Sequence, residues 1–203
     1  MFPSEVRDAS EVLISGPLLS GKRMLFHRLL REWADDPVVA ATRQSAGRVR
    51  SDHDRLTEES GEELVVIDCV SAVHDDVVET SRTKYAAGPG NLTSIGTTFT
   101  EVLDARCDRE DPLAVGLETI SPLLMYSSID DVYRFVRLLI QQGTGEEWPV
   151  VAVVESEAHD RQIRHTLREP FDVIVETRID DGARQFRTRS RAGGTEWAPI
   201  EGQ

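Results

Sequence analysis

Residues 11 to 33, EVLISGPLLSGKRMLFHRLLREW, leave little freedom in how this chain begins to fold. Glu11, Val12, Leu13, Ile14 and Ser15 read as a short strand, and its unbroken apolar run suits a central position with both faces covered. From about Gly21 to Ala34, Leu25, Phe26, Leu29, Leu30 and Trp33 recur at helical spacing, so one face of that helix packs on a sheet. Asp35, Asp36 and Pro37 end it. Between strand and helix, Gly16, Pro17, Leu18, Leu19, Ser20, Gly21, Lys22 and Arg23 follow the pattern G-x-x-x-x-G-K-[ST] except at the last position. Such a loop suits phosphate: glycines let backbone N–H groups fold round the anion, and the lysine neutralises its charge. The helix N-terminus adds partial positive charge. Lys22 and Lys84 are the only lysines in the chain, which makes the placing of Lys22 informative.

The remainder alternates apolar strands with amphipathic helices. Strands are predicted at Val38 to Thr42, Leu64 to Asp68, Leu113 to Leu117, Val150 to Val154 and Phe171 to Glu176. Helices are predicted at Ala46 to Thr57, Thr93 to Cys107, Asp130 to Gln142 and Ala158 to Arg168. Gly182 to Ser190 and Thr195 to Ile200 read as antiparallel hairpin strands. This order implies an α/β fold, a three-layer αβα sandwich on a mainly parallel sheet with a C-terminal β-hairpin. A chain of 203 residues suits a single domain spanning 1–203, its core at about 11–177 and its hairpin at about 178–200. Asp68 ends an apolar run, and the C-terminal edge of a parallel sheet is where ligands bind. An aspartate at such an edge holds magnesium in phosphate-loop enzymes.

The net charge of −13, on a basic side that is nearly all arginine, points to a salt-rich cytoplasm, where screening softens the mutual repulsion of acids. It argues against broad nucleic-acid binding. Arg178, Arg184, Arg187, Arg189 and Arg191 concentrate positive charge in the hairpin, where contact with nucleic acid or an acidic partner competes with pairing to the chain's own acids. The N-terminus carries no signal-peptide pattern, and no stretch is long and apolar enough to span a bilayer, so a cytoplasmic protein without membrane contact is expected. Cys69 and Cys107 read as reduced thiols, and the five histidines read as solvated surface groups without metal-binding spacing.

The loop GPLLSGKR, the strand LVVIDCVS, the segment GNLTSIGTTFTEVLDA and the segment HTLREPFDVIVETR together resemble RecA-superfamily proteins of the KaiC type. The acidic, lysine-poor composition is similar to small single-domain members from salt-loving archaea. The resemblance implies a RecA-like ATPase core, with ATP on Gly16 to Arg23 and Asp68 near a Mg2+ ion. Two departures bear on chemistry. Arg23 replaces the hydroxyl that would ligate the cation. Ala41, Thr42, Arg43 and Gln44, after the second strand, hold no carboxylate where active relatives place the glutamate that activates water, and Glu58, Glu59, Glu62 and Glu63 lie too far along. Three readings follow. The first is a degenerate ATP-binding module of regulatory or signalling type with weak or absent hydrolysis. The second is a slow ATPase whose site is completed across a homo-oligomer contact by Lys84 or an arginine. The third is an interaction protein that has lost nucleotide, which a collapsed loop with Lys22 on Asp68 would favour.

Overall fold

The computed structural model describes residues 2–57, 63–73, 77–106 and 113–201. Its described strands form one ten-stranded sheet in the order β10-β8-β7-β1-β6-β5-β2-β3-β4, with β9 on β8. The parallel part contains β1 (Glu11–Gly16), β2 (Val38–Ala41), β3 (Val65–Asp68), β4 (Thr83–Tyr85), β5 (Val115–Leu117), β6 (Val150–Glu155) and β7 (Val173–Asp180). β8 (Ala183–Ser190) returns antiparallel to β7, and β9 (Gly193–Gly194) and β10 (Ala198–Pro199) pair antiparallel with β8.

Consecutive side chains of a strand face opposite ways, so each central strand feeds two cores. Val12 and Ile14 join Val39, Val151 and Val153 beneath α1 (Ser4–Arg7), α2 (Lys22–Trp33) and α3 (Ala46–Thr57). Leu13 joins Ala40, Ile67 and Ala152 beneath α4 (Leu92–Asp104), α5 (Ile129–Gly145) and α6 (Arg161–Arg168). The result is the expected three-layer sandwich on a mostly parallel sheet. The helix stripes behave as their spacing predicts: Leu25, Phe26, Leu29 and Leu30 are buried on α2, and Val132, Phe135, Val136 and Leu139 on α5. Side-chain caps start α4 and α5 within one residue of the prediction, with Asn91 accepting from the Ser94 N–H and Ser128 from Asp131, while Asp160, accepting from Ile163, starts α6 at Arg161, three residues later than expected.

Helix α1 and strand β4 were not expected, being too short to show a period. Cys107, His74, Glu58, Glu59 and Glu62 lie outside the described residues. Among the described residues no helix is long and apolar enough to cross a membrane.

Sheet order positions the site. From β1 the chain leaves through α2 on one face towards β2, and from β6 through α6 on the other face towards β7. β1 and β6 are neighbours, with Gly16 opposite Glu155 at their ends. Connections that diverge from adjacent strands open a crevice at the carboxyl edge, the usual ligand position in open α/β sheets.

Candidate functional site

Local backbone demands explain the glycines of the loop. A β-carbon on Gly16 would lie 1.9 Å from the Thr177 Oγ1, so only glycine lets β1 end against β7. Gly21 has φ 92° at the start of α2, a region that side chains disfavour. Ser20 closes the turn, its hydroxyl 2.8 Å from the Pro17 carbonyl oxygen and 2.6 Å from the Thr177 Oγ1. Leu19 takes φ 62° at the tip, and Leu18 and Leu19 are 62% and 78% exposed.

Lys22 turns inward from the first position of α2 and is buried. Its Nζ donates to the Pro17 carbonyl at 2.6 Å and lies 2.7 Å from the Glu155 Oε2. The second contact is a short ion pair met off the ideal hydrogen-bond angle, and Oε2 has no other donor. Burial lowers the Lys22 pKa, and Glu155 opposes that shift. The other carboxylate oxygen of Glu155 lies 3.4 Å from an Arg43 guanidinium nitrogen. Glu118, at the end of β5, accepts the backbone N–H groups of Arg43 and Gln44 at 3.2 and 3.4 Å. Burial raises the Glu118 pKa; the Arg43 N–H, the Arg43 charge, the Gln44 N–H and Arg23 pull the other way.

These groups line a cavity of about 260 Å³ bounded also by Arg23, Arg55 and Arg184. Five cationic side chains face two carboxylates across it, so its field favours an anion. The cavity lies just below the usual range for small-molecule sites, with Glu155 inside it.

Of the predicted loop, Leu18, Leu19, Gly21, Lys22 and Arg23 line the crevice, while Gly16, Pro17 and Ser20 shape the turn behind it. The Arg23 guanidinium lies 2.9 Å from the Asp52 Oδ2 on α3. Asp52 is fully buried and also meets Arg55 at 2.8 Å and Arg48 at 3.7 Å. Asp68 does not belong to the site, which corrects the expectation of a metal ligand there. β3 is separated from β1 by β2, β5 and β6. Its carboxylate accepts the Ala46 N–H at 2.8 Å, the Val70 and Ser71 N–H groups at 2.9 Å and the Ser71 hydroxyl at 2.8 Å. It caps α3 and the turn after β3. With Arg23 held by Asp52 and Asp68 used as a cap, neither residue sits where a Mg2+ ion on the loop would meet it. Lys22 is not bridged to Asp68 either; its carboxylate is Glu155.

Glu155, Glu118 and Arg43 are the site residues that sequence reasoning missed as a set. The available signal was the repeated pattern of an apolar run ending in an acid, seen at VVAVVE as well as at LVVID.

Two further expectations change. His27 and His53 are buried, not solvated, and their Nδ1 atoms lie 3.2 Å apart between α2 and α3. Burial, with His53 and nearby arginines opposing a charge, drops the His27 pKa to about 3. In the hairpin, Arg187 and Arg189 reach the Glu176 carboxylate at 2.7 and 3.0 Å, joined by Arg168 at 2.8 Å. Arg178 and Arg187 lie 4.3 and 4.4 Å from the Trp197 ring centre. Much of the basic stripe is thus spent on the chain's own groups.

Comparison with solved structures finds a crystal structure of an uncharacterized protein, PH0321 from Pyrococcus horikoshii, in complex with an unknown peptide. The likeness has a TM-score of 0.65 at 9% identity, over 90% of this chain and 84% of that one, and it extends to the fold alone. No curated protein matches the sequence. The family of unknown function DUF7504 matches residues 9–177, and the chain belongs to that family.

Proposed function

We propose that the chain binds the phosphates of ATP or a related nucleotide in the crevice between β1 and β6, as a regulatory module with slow or absent hydrolysis. The observation that carries this reading is Lys22, buried at the head of α2 with its ammonium turned back onto the loop carbonyl of Pro17. Four arginines share its cavity, and the two glycines give the loop a shape that side chains would block. Slow chemistry follows from what surrounds the loop. Thr42 donates its hydroxyl to the Thr119 carbonyl at 2.5 Å, no carboxylate follows β2, and the two in the cavity are engaged, Glu118 by the N–H groups of Arg43 and Gln44 and Glu155 by Lys22 and Arg43. Losing a general base removes about 10²–10⁴-fold of rate. The test is isothermal titration of ATP in salt-rich buffer, with and without Mg2+. Binding that weakens at least about tenfold in Lys22→Ala, a loss of 1.4 kcal/mol or more, supports the reading; no heat from the native protein sinks it.

A second reading, an interaction protein, draws on exposed apolar side chains at the same sheet edge. Leu18 and Leu19 project from the loop after β1, and Met125 and Tyr126, 77% and 64% exposed, follow β5. A similar fold has been crystallised with a peptide. Competition between ATP and a peptide displayed from a random library separates the two readings, because only a shared crevice gives mutual displacement.

A further inference from the structure

We propose that Glu155 is an internal stand-in for the ligand's phosphate, so that it sets both the affinity of the crevice and the charge an anion needs to enter. This inference rests on the phosphate-binding reading above.

The Glu155 carboxylate occupies the place that an incoming anion would need. It lies between Lys22, 2.7 Å away, and Arg43, 3.4 Å away, with the residue only 8% exposed. Its fit there is incomplete, because the oxygen facing Lys22 meets that ammonium off the ideal angle and has no other donor. A buried acceptor held by one off-angle cation is replaceable by one that also collects backbone N–H donors, which a phosphate at a helix N-terminus can do.

The backbone around it is pinned. The Glu155 N–H donates to the Ser121 hydroxyl at 3.1 Å, and the Ser156 N–H donates to the Gly16 carbonyl at 2.9 Å. Only the side chain is left to move, so the device is a rotation at one residue and β6 stays in register with β1.

The charge requirement follows from the count of groups. Glu155 supplies one negative charge to Lys22 and Arg43, and an anion must offer more than that to take its place while the displaced carboxylate remains nearby. Polyphosphates meet this condition; a monocarboxylate does not. Glu155 is therefore a specificity-determining residue favouring phosphoanhydrides over singly charged anions.

The variant Glu155→Gln keeps the shape and removes the charge. Tripolyphosphate, titrated calorimetrically, is expected to bind Glu155→Gln at least tenfold more tightly than the native chain, with Glu155→Asp close to native. A second readout uses the scarcity of lysine. Pyridoxal 5′-phosphate condenses with an amine, releasing water, and borohydride reduces the imine to a stable secondary amine. Peptide mass spectrometry then reads Lys22 against Lys84. Labelling at Lys22 relative to Lys84 is expected to rise in Glu155→Gln and to fall when tripolyphosphate is present. If the native chain binds tripolyphosphate and the folded Glu155→Gln variant binds no tighter, the stand-in role is wrong while phosphate binding survives. If neither binds and Lys22 labelling is unaffected by tripolyphosphate, both fall. Binding by Glu155→Gln alone supports a stand-in strong enough to close the native site.

Discussion

Asp68 and Glu155 end two strands of almost the same composition, VVID and VVAVVE, and both are buried at the carboxyl edge of one sheet. Their surroundings differ in kind. Asp68 receives three backbone N–H groups and one hydroxyl, all from its own vicinity in the fold. Glu155 receives two side-chain cations and an incomplete set of hydrogen bonds. The first acid is committed to the architecture. The second, on the proposal made above, gives way to a better-matched anion. The difference comes from sheet order, since β6 borders the strand that carries the glycine loop while β3 lies far along the sheet.

Asp68→Ala gives the sharpest break between the two. Removing a buried carboxylate that caps α3 and a turn should cost about 3 kcal/mol, seen as a lower urea midpoint, with Asp68→Asn recovering part of it. Phosphate affinity should stay native in the folded fraction, and a parallel loss of affinity would return Asp68 to the site.

Lys22→Met acts on the other acid. It leaves Glu155 without its nearer cation and should destabilise the chain by about 2 kcal/mol, less than a sealed ion pair because the crevice is open to water. Adding Glu155→Gln to Lys22→Met should recover much of that loss, and a double-mutant cycle showing no coupling would mean that the pair is idle.

His27 links the two regions, because it joins the helix that starts at the loop to the helix that Asp68 caps. Its folded pKa of about 3 lies below the ordinary 6.5, so the unfolded chain takes up a proton that the folded chain refuses. Stability is therefore lost as pH falls below 6.5 towards 3, by about 1 kcal/mol for the first pH unit. Urea unfolding across that window should show a shallower fall in His27→Gln than in the native chain, and equal slopes would refute the assignment.

Arg23→Ser should have the smallest effect. Asp52 keeps Arg55 and Arg48, so the loss should stay under about 1 kcal/mol. The introduced hydroxyl should not create a Mg2+ requirement for ATP binding, since Asp68 lies elsewhere; a strong Mg2+ dependence in titrations of this variant would show that one hydroxyl is enough to bring the cation in.

Local pattern made the layers legible. The alternation of Val12, Leu13 and Ile14, the stripes of α2 and α5, and the glycine loop all follow from periodicity and backbone sterics acting over a few residues. Strand order is a property of the whole chain and leaves no mark on any one segment. That is why Asp68, first in the sequence to end an apolar run after the loop, was read as the acid beside it. The burial of His27 and His53 was hidden for a related reason, since each depends on a helix that the other supplies.

The division of the sheet into two cores has a consequence for inheritance. Leu13 and Ile14 are neighbours in sequence but belong to separate packing populations, and only the population of Ile14 is shared with α2, the helix that carries Lys22. Substitutions beneath α4, α5 and α6 can accumulate and compensate among themselves while the loop keeps its setting. Divergence on that side of the sheet should therefore be freer than divergence beneath α2 and α3, where any change in packing is also a change in the aim of Lys22.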